Sequence, residues 1–458
     1  MKQQQRKKTV ASGELRVIRP DVAGADLGAR EHYVCAPSVG GAGQEVASFG
    51  STTAELYRLA DWLMVRGVKS VAMESTGVYW ISVYEVLESR GFEVVLVNAR
   101  VLMSVPGRKT DVLDCQWIQL LHSCGLLRGS FRPADAVCGV RSLIRERSVL
   151  VRESADWIRR MQKSLDQMNV RVHHAVADIC GTTGMAIVRK IVAGERDPKV
   201  LAELRDPRCR KTQEEIAEHL QGTWRPEHLF TLGQGLKMYD FAQRCIREYD
   251  AQIMARLAQL EKPDLDRPTP PDLPRKDKMK SMNRRDQQPL RQALYRMSGV
   301  DLTTIDAIGP ETAEVVLSEL GTDYSAFPTE GHFVSYLKLA PKLAISGGKP
   351  IRSKKPMSTS TRVGAALRMA ATTLRHSKTA LGAEFRRLAR IKGMGVAVFA
   401  MARKLAILIY RLIRFGQAYV DQGMQAYEQR FLQRRIHTCH HMANALGFHL
   451  VAKESLPS

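Results

Sequence analysis

The chain's 458 residues suffice for two or three domains, and a composition of 44% hydrophobic and 25% charged residues is that of an ordinary folded protein. Its 69 Lys and Arg outnumber 47 Asp and Glu, a formal charge of +22. That favours a polyanionic partner, DNA or RNA, over a basic surface kept for solubility or for anionic membranes. No apolar run approaches the ~20 residues of a membrane span, and no signal core follows the basic arm at residues 1–14. Eight scattered cysteines without a CxxC pair read as reduced intracellular thiols, not a disulfide framework.

Residues 15–135 show a mixed α/β pattern. Val22–Gly28 and His32–Ala36 read as strands turning at Ala29-Arg30, and Glu45–Phe49 as a third. Thr53–Arg66 has helical spacing, with Leu56, Leu59, Ala60 and Leu63 on one face. Val68–Met73 reads as a short strand ending at Glu74, Tyr79–Ser89 as helix, Glu93–Val97 as strand and Lys109–Leu121 as helix. Three strands able to pair as a meander, then alternating helix and strand, predict a ribonuclease-H-like fold rather than a wholly parallel sheet.

Beyond Pro133 strand signals stop, and residues 136–262 read as a helical, coiled-coil region. Ile158, Met161, Leu165, Met168, Val172, Ala175 and Ile179 alternate three and four apart, predicting a seam of about three heptads. Leu236–Leu260 predicts a second long helix, able to pair with the first or with a second copy. Residues 181–235 between them carry no clear pattern. Pro263, Pro268, Pro270, Pro271 and Pro274, with the basic run Arg275–Lys280, mark a linker over 263–290.

A second, mainly helical domain is expected over 291–430, with a tail at 431–458. Leu302–Ala313 looks like a helix-hairpin-helix, in which the helix after Gly309 offers backbone N–H groups to a DNA phosphate. Ser346-Gly347-Gly348-Lys349, followed by Arg352, Lys354 and Lys355, reads as a flexible basic loop. An Ala-rich helix, a basic stretch with Arg386, Arg387, Arg390 and Lys392, and an apolar helix at Val396–Phe415 complete it. His437, Cys439, His440 and His441 lack a second half-site and read as a solvated helix end, because structural zinc takes four ligands.

Asp26, Glu74, Asp111 and Asp114 are carboxylates in a basic protein, three of them at the ends of apolar strand-like segments or just past them. Such a cluster suits two-metal chemistry on a phosphodiester, with ions about 3.5–4 Å apart on the attacking and leaving oxygens. Asp111 and Asp114, at i and i+3, share one helix face. In the plainer reading Asp111 caps a helix, Asp114 sits on its solvated first turn and Glu74 is a surface group. From the residues alone Ser346 belongs to an ordinary loop. Metal-dependent junction resolution or structure-specific cleavage, and non-catalytic binding of nucleic acid, are both open readings. An aromatic content of 6% gives no stacking platform for single strands.

Gly24-Ala25-Asp26, Met73-Glu74-Ser75-Thr76-Gly77-Val78-Tyr79 and Lys109-Thr110-Asp111-Val112-Leu113-Asp114 resemble the IS-one-ten-type DEDD insertion-sequence transposases. So do Ile308-Gly309, Leu339-Ala340-Pro341 with Ser346-Gly347, and the final helices; the resemblance covers about residues 20–135 and 291–425. It implies a RuvC-like domain and a helical transposase domain separated by a coiled coil. It further implies exchange of donor and target DNA under an element-encoded guide RNA, in a prokaryotic cytoplasm at the nucleoid, by a homodimer or homotetramer with no membrane attachment. Asp26, Glu74, Asp111 and Asp114 match the family's metal-binding tetrad, for Mg²⁺ or alternatively Mn²⁺. Ser346 matches its nucleophile, which leaves a transient phosphoserine. Lys109, Gly309, Lys349, Arg352, Lys354, Lys355, Arg386, Arg387, Arg390 and Lys392 are then expected at nucleic acid. The chain departs from the family at Asp306-Ala307, where Pro-Gly is common, and at Ile345, where Glu is common.

Overall fold

The computed structural model describes residues 16–40, 43–75, 77–98, 111–261, 287–340, 345–346, 349–350 and 361–449. At Asp111, at 345–346 and 349–350, and over most of 417–431, it describes the backbone alone. The chain divides into two compact units, Met1–Arg132 and Pro133–Ser458.

In the first unit β1 (Val22–Leu27), β2 (Glu31–Pro37) and β3 (Gln44–Gly50) form the expected antiparallel meander. α1 (Thr53–Val65) starts where the Thr52 hydroxyl accepts from the Glu55 amide, and it buries Leu56, Leu59, Ala60 and Leu63. β4 (Ser70–Glu74), α2 (Trp80–Ser89) and β5 (Glu93–Val97) follow, and α3 begins at Asp111 and ends at Ser123. The sheet order is β3-β2-β1-β4-β5, with β4 parallel to both β1 and β5. This is the mixed, ribonuclease-H-like sheet that the strand pattern predicts.

The two sheet faces carry different layers, because side chains alternate along a strand. Ala23, Ala25, Val71, Met73 and Leu96 join the core under α1 and α2. Ala72 and Val97 instead meet Ile118 of α3. Gly24 explains how closely α3 lies: a Cβ there would stand 2.2 Å from the Gln119 amide nitrogen and 2.5 Å from the Cys115 carbonyl oxygen. Only glycine lets the helix backbone rest on the strand. Gly24→Ala is expected to destabilise the protein by roughly 1–3 kcal/mol and to lower activity by lifting α3; an unchanged melting temperature would contradict this docking.

The second unit is helical. α4 (Asp135–Gln167) and α9 (Pro226–Gln259), each about 50 Å long at 1.5 Å per residue, pack against each other within one chain. Arg147 clamps Asp250 through two bonds of 2.6 and 3.1 Å, and Gln243 donates to Ser154 at 2.8 Å. The predicted seam does not run on as one helix. α4 stops at Gln167, Asn169 takes a left-handed φ of 58°, and Val172–Ala175 is a separate turn of helix, α5. Met161, Leu165, Met168, Val172, Ala175 and Ile179 are nonetheless buried together. Their spacing reports burial in a globular core, not a continuous coiled coil. Residues 181–235, patternless in sequence, supply α6 (Thr182–Val192), α7 (Pro198–Ala202), α8 (Gln213–His219) and the start of α9 to that core.

α10 (Gln287–Ser298) and α11 (Pro310–Leu320) flank a one-turn 3₁₀ helix at Leu302–Thr304. Arg291 holds this turn to α10 through a buried ion pair with Asp301, with bonds of 2.5 and 3.2 Å. α12 (Glu330–Tyr336), the ribbon of β6 (Ile345–Ser346) and β7 (Lys349–Pro350), α13 (Arg362–Thr373), α14 (Ala380–Lys392) and α15 (Met394–Phe415) follow. Tyr324, Phe327, Phe333 and Tyr410 form an aromatic core, and the Tyr410 hydroxyl donates to the Phe327 carbonyl at 2.8 Å. α16 (Gln417–Ala445) runs through residue 430 without a break, so the expected tail is in part helix. The linker at 263–290 lies largely outside the described residues.

Candidate active site

β1 and β4 run parallel with Ala25 opposite Met73. Continued by one residue, that register sets Asp26 beside Glu74, ~4.8 Å away across the sheet. Both face α3. Asp26 is two residues from Gly24, which α3 covers, and Glu74 is two from Ala72, which meets Ile118. Both carboxylates therefore project from neighbouring strand ends on one face, and each is half-buried.

α3 brings the other two. Asp111 is its first residue and Asp114 lies one turn in, half-buried. Its contact with Gly24 places Cys115, and so the neighbouring Asp114, at the strand end. Burial first, then the nearby Cys35 and Asp26, pushes the Cys115 thiol up to about 12; Asp26 is thus within electrostatic reach of α3. The helix N-terminus also favours acidic residues at Asp111 and Asp114, whatever else they do.

Tyr33 is a neighbour that no local sequence signal marks. It pairs with Asp26 across the β1–β2 ladder, on the side away from β4, and its hydroxyl donates to Glu31 at 3.0 Å. Only the strand register identifies it.

Among the described residues no group of three or more His, Cys, Asp or Glu side chains is gathered closely enough to hold a metal ion. The side chain of Asp111 lies outside that set. The chemistry of the donors fits a hard divalent cation: Asp26 and Glu74 are carboxylates on neighbouring strand ends, and Asp114 is a carboxylate on the helix that covers the same sheet face. The exposed His437, Cys439, His440 and His441 stand on α16.

In the second unit Ser346 is not in a simple loop. β6 and β7 pair antiparallel, with Ser346 opposite Lys349. Gly347-Gly348 is a two-residue hairpin signal, to which a reading by composition is blind. Arg352, Lys354 and Lys355, like Lys109, lie outside the described residues.

The helix-hairpin-helix expectation is met in modified form. The segment before Gly309 is a single 3₁₀ turn, and Gly309 is the N-cap of α11 with φ −90°. The left-handed position is Ala307, at φ 72°. Asp306 secures it by accepting from the hydroxyls of Ser377 (2.9 Å) and Thr379, the latter being the N-cap of α14. Left-handed alanine costs ~1–2 kcal/mol, offset in glycine by a greater loss of chain entropy. Ala307→Gly is therefore expected to raise stability by up to ~1 kcal/mol, measured by denaturant midpoint; a loss of stability would contradict the strain.

Of the basic stretch on α14, Arg386 donates to the carbonyls of Arg375 and Ser377, at 3.1 and 2.5 Å. It is at least partly a structural tie. Arg387, Arg390 and Lys392 are exposed.

Two family models match the chain. A transposase model of the DEDD, IS110 type covers residues 23–170, and the model of the Transposase IS116/IS110/IS902 family covers residues 300–387. Together they span about half of the chain, in the order that the motifs run. The chain belongs to the IS110-type DEDD transposase family. No curated protein matches it. As an IS110-type transposase it is a DNA strand-transfer enzyme with DNA as partner, and its DEDD domain points to a divalent metal. The first matched segment contains Asp26, Glu74, Asp111 and Asp114; the second contains Ser346 and Lys349. No helix among the described residues is long and apolar enough to cross a membrane.

Proposed function

We propose that this transposase exchanges DNA strands by means of a divalent-metal site on Asp26, Glu74, Asp111 and Asp114 and a serine nucleophile, Ser346. The observation that supports the reading is the parallel register of β1 and β4, which sets Asp26 and Glu74 on neighbouring strand ends, on the sheet face that α3 covers. Mg²⁺, or Mn²⁺, bound there would neutralise charge on a phosphate and orient it.

Ser346 Oγ attacks a DNA phosphate. An Oγ–P bond forms as the P–O bond to the departing strand breaks, and the proton lost from Oγ passes by way of solvent to the leaving oxygen. Attack on the phosphoserine by a strand-end hydroxyl reverses these changes and joins a new pair of ends. The number of phosphodiester bonds is conserved, so no external energy source is required. Lys349, the strand partner of Ser346, offsets phosphate charge, as do Arg352, Lys354 and Lys355. Gly309, Lys109 and the exposed Arg387, Arg390 and Lys392 contribute backbone and side-chain contacts to nucleic acid, with Arg386 chiefly bracing them.

Target choice is delegated to an element-encoded guide RNA, and the protein works as a homodimer or homotetramer. The charge of +22 suits two nucleic-acid partners. Strand exchange is tested with purified protein, element-end and target duplexes, divalent metal and RNA transcribed from the sequence flanking the gene. Recombinant products that require both metal and RNA are expected. Recombination without RNA would remove guidance and leave the strand chemistry standing. Metal-dependent cleavage to free ends, with no joined product, would favour a hydrolytic nuclease.

A further inference from the structure

The corner between α14 and α15 lies beyond both family-matched segments, and it has an unusual surface. The helices are joined through Gly393 alone, at φ 86° and ψ 159°, and pack against each other on either side of it. Ile391, Met394 and Val396 are 57%, 45% and 54% exposed. Three exposed aliphatic side chains within six residues make a patch rather than isolated surface apolars. A Cβ at Gly393 or Gly395 would meet no atom within 4 Å, so the protein leaves this corner uncovered.

The surroundings select the partner. Arg387, Arg390 and Lys392 are exposed beside the patch, and no acidic residue occurs from Phe385 to Val420. Such a surface complements a polyanion. One turn into α15, Arg368 of α13 stacks over Phe399 at 5.0 Å, which stiffens the helix just behind Val396. A bare phosphate track has no use for exposed Ile, Met and Val. A DNA duplex does: aliphatic side chains flanked by basic residues enter the minor groove, part a base step and kink the helix axis by ~20–90°.

The geometry points to the α14–α15 corner as a DNA-bending wedge. Ile391, Met394 and Val396 part a base step, and Arg387, Arg390 and Lys392 hold the adjacent phosphates. The wedge rests on the proposed placing of the α14 basic residues at nucleic acid, and it adds the mode of contact and the distortion of the substrate. It makes bending a property of this corner, separable from affinity.

The test uses the full-length protein and a 40-bp element-end duplex labelled at its two ends for energy transfer. Wild-type protein is expected to bring the ends closer. The triple variant I391A/M394A/V396A should bind within ~10-fold of wild type, since a few kcal/mol of unstacking cost and contact gain vanish together, while losing most of the bend. The double variant R387A/R390A should weaken binding and reduce the slope of log affinity against log salt by about two, at ~0.9 per phosphate contact.

Retention of the full bend by the triple variant would overturn the wedge while leaving the phosphate contacts intact. An unchanged salt slope in the double variant would overturn the contact of this face with DNA altogether. A change of oligomeric mass in the triple variant, with DNA bending preserved, would reassign the patch to protein–protein association. Thermal melting of both variants at the wild-type temperature is expected, because every substituted side chain is exposed.

Discussion

Asp26→Asn is expected to reduce strand exchange by about 10³-fold or more, since a metal site supplies several kcal/mol of charge stabilisation and each 1.36 kcal/mol is a factor of ten. The substitution conserves shape and removes the charge, and Glu74→Gln should match it. Neither should unfold the protein. Both groups are half-buried at adjacent strand ends and each substitution conserves shape, so the melting temperature in metal-free buffer should change little. Mg²⁺ supplies a readout independent of activity. At about 100 times its dissociation constant a native-state ligand stabilises by ~2.7 kcal/mol. Wild-type protein should therefore melt higher with Mg²⁺, and Asp26→Asn should lose that increment. A variant that exchanges strands at the wild-type rate would remove Asp26 from the site. A variant that loses activity but keeps the full Mg²⁺ increment would leave it with a role other than metal binding.

Much of this site is legible in the amino-acid sequence, for a physical reason. Strand alternation and a terminal carboxylate are local signals, so the strands that carry Asp26 and Glu74 can be read from their own residues. The pairing that sets Asp26 beside Glu74 is non-local; it needs the parallel register and the close approach at Gly24. Tyr33 escapes a sequence reading for the same reason. The middle region misleads because a 3-4 spacing marks burial on one helical side, and it persists when the chain breaks at Asn169 and continues in another helix of the same core. Ser346 goes the other way. Gly347-Gly348 reads as flexibility when weighed as composition, and as a hairpin signal when weighed as turn chemistry; the strand pairing of Ser346 with Lys349 follows the second. The strain at Ala307 is visible only through a backbone angle, although the departure from Pro-Gly at that point is plain in the sequence.

Ser346→Ala should abolish both strand exchange and the covalent protein–DNA adduct, a loss of more than about 10⁴-fold, as expected when a nucleophile acting as part of a unit is removed. DNA binding should persist, because the hydroxyl carries no charge and the basic residues remain. Denaturing gels of reactions quenched before joining should show labelled DNA travelling with wild-type protein and free of the variant. An adduct formed by Ser346→Ala would sink the assignment. The acidic residues and Ser346 belong to different compact units of the chain, so mixing the two inactive proteins asks a further question. In an Asp26→Asn plus Ser346→Ala mixture, a site built within one chain stays dead in every protomer. A site in which one protomer's carboxylates serve another's serine regains activity in mixed oligomers, up to about a quarter of wild type for random dimers with one working pair in half of them. Recovery would make oligomerisation part of the chemistry, because neither half could act alone. Its absence, with mixed oligomers demonstrated by differential tagging, would place both halves within one chain.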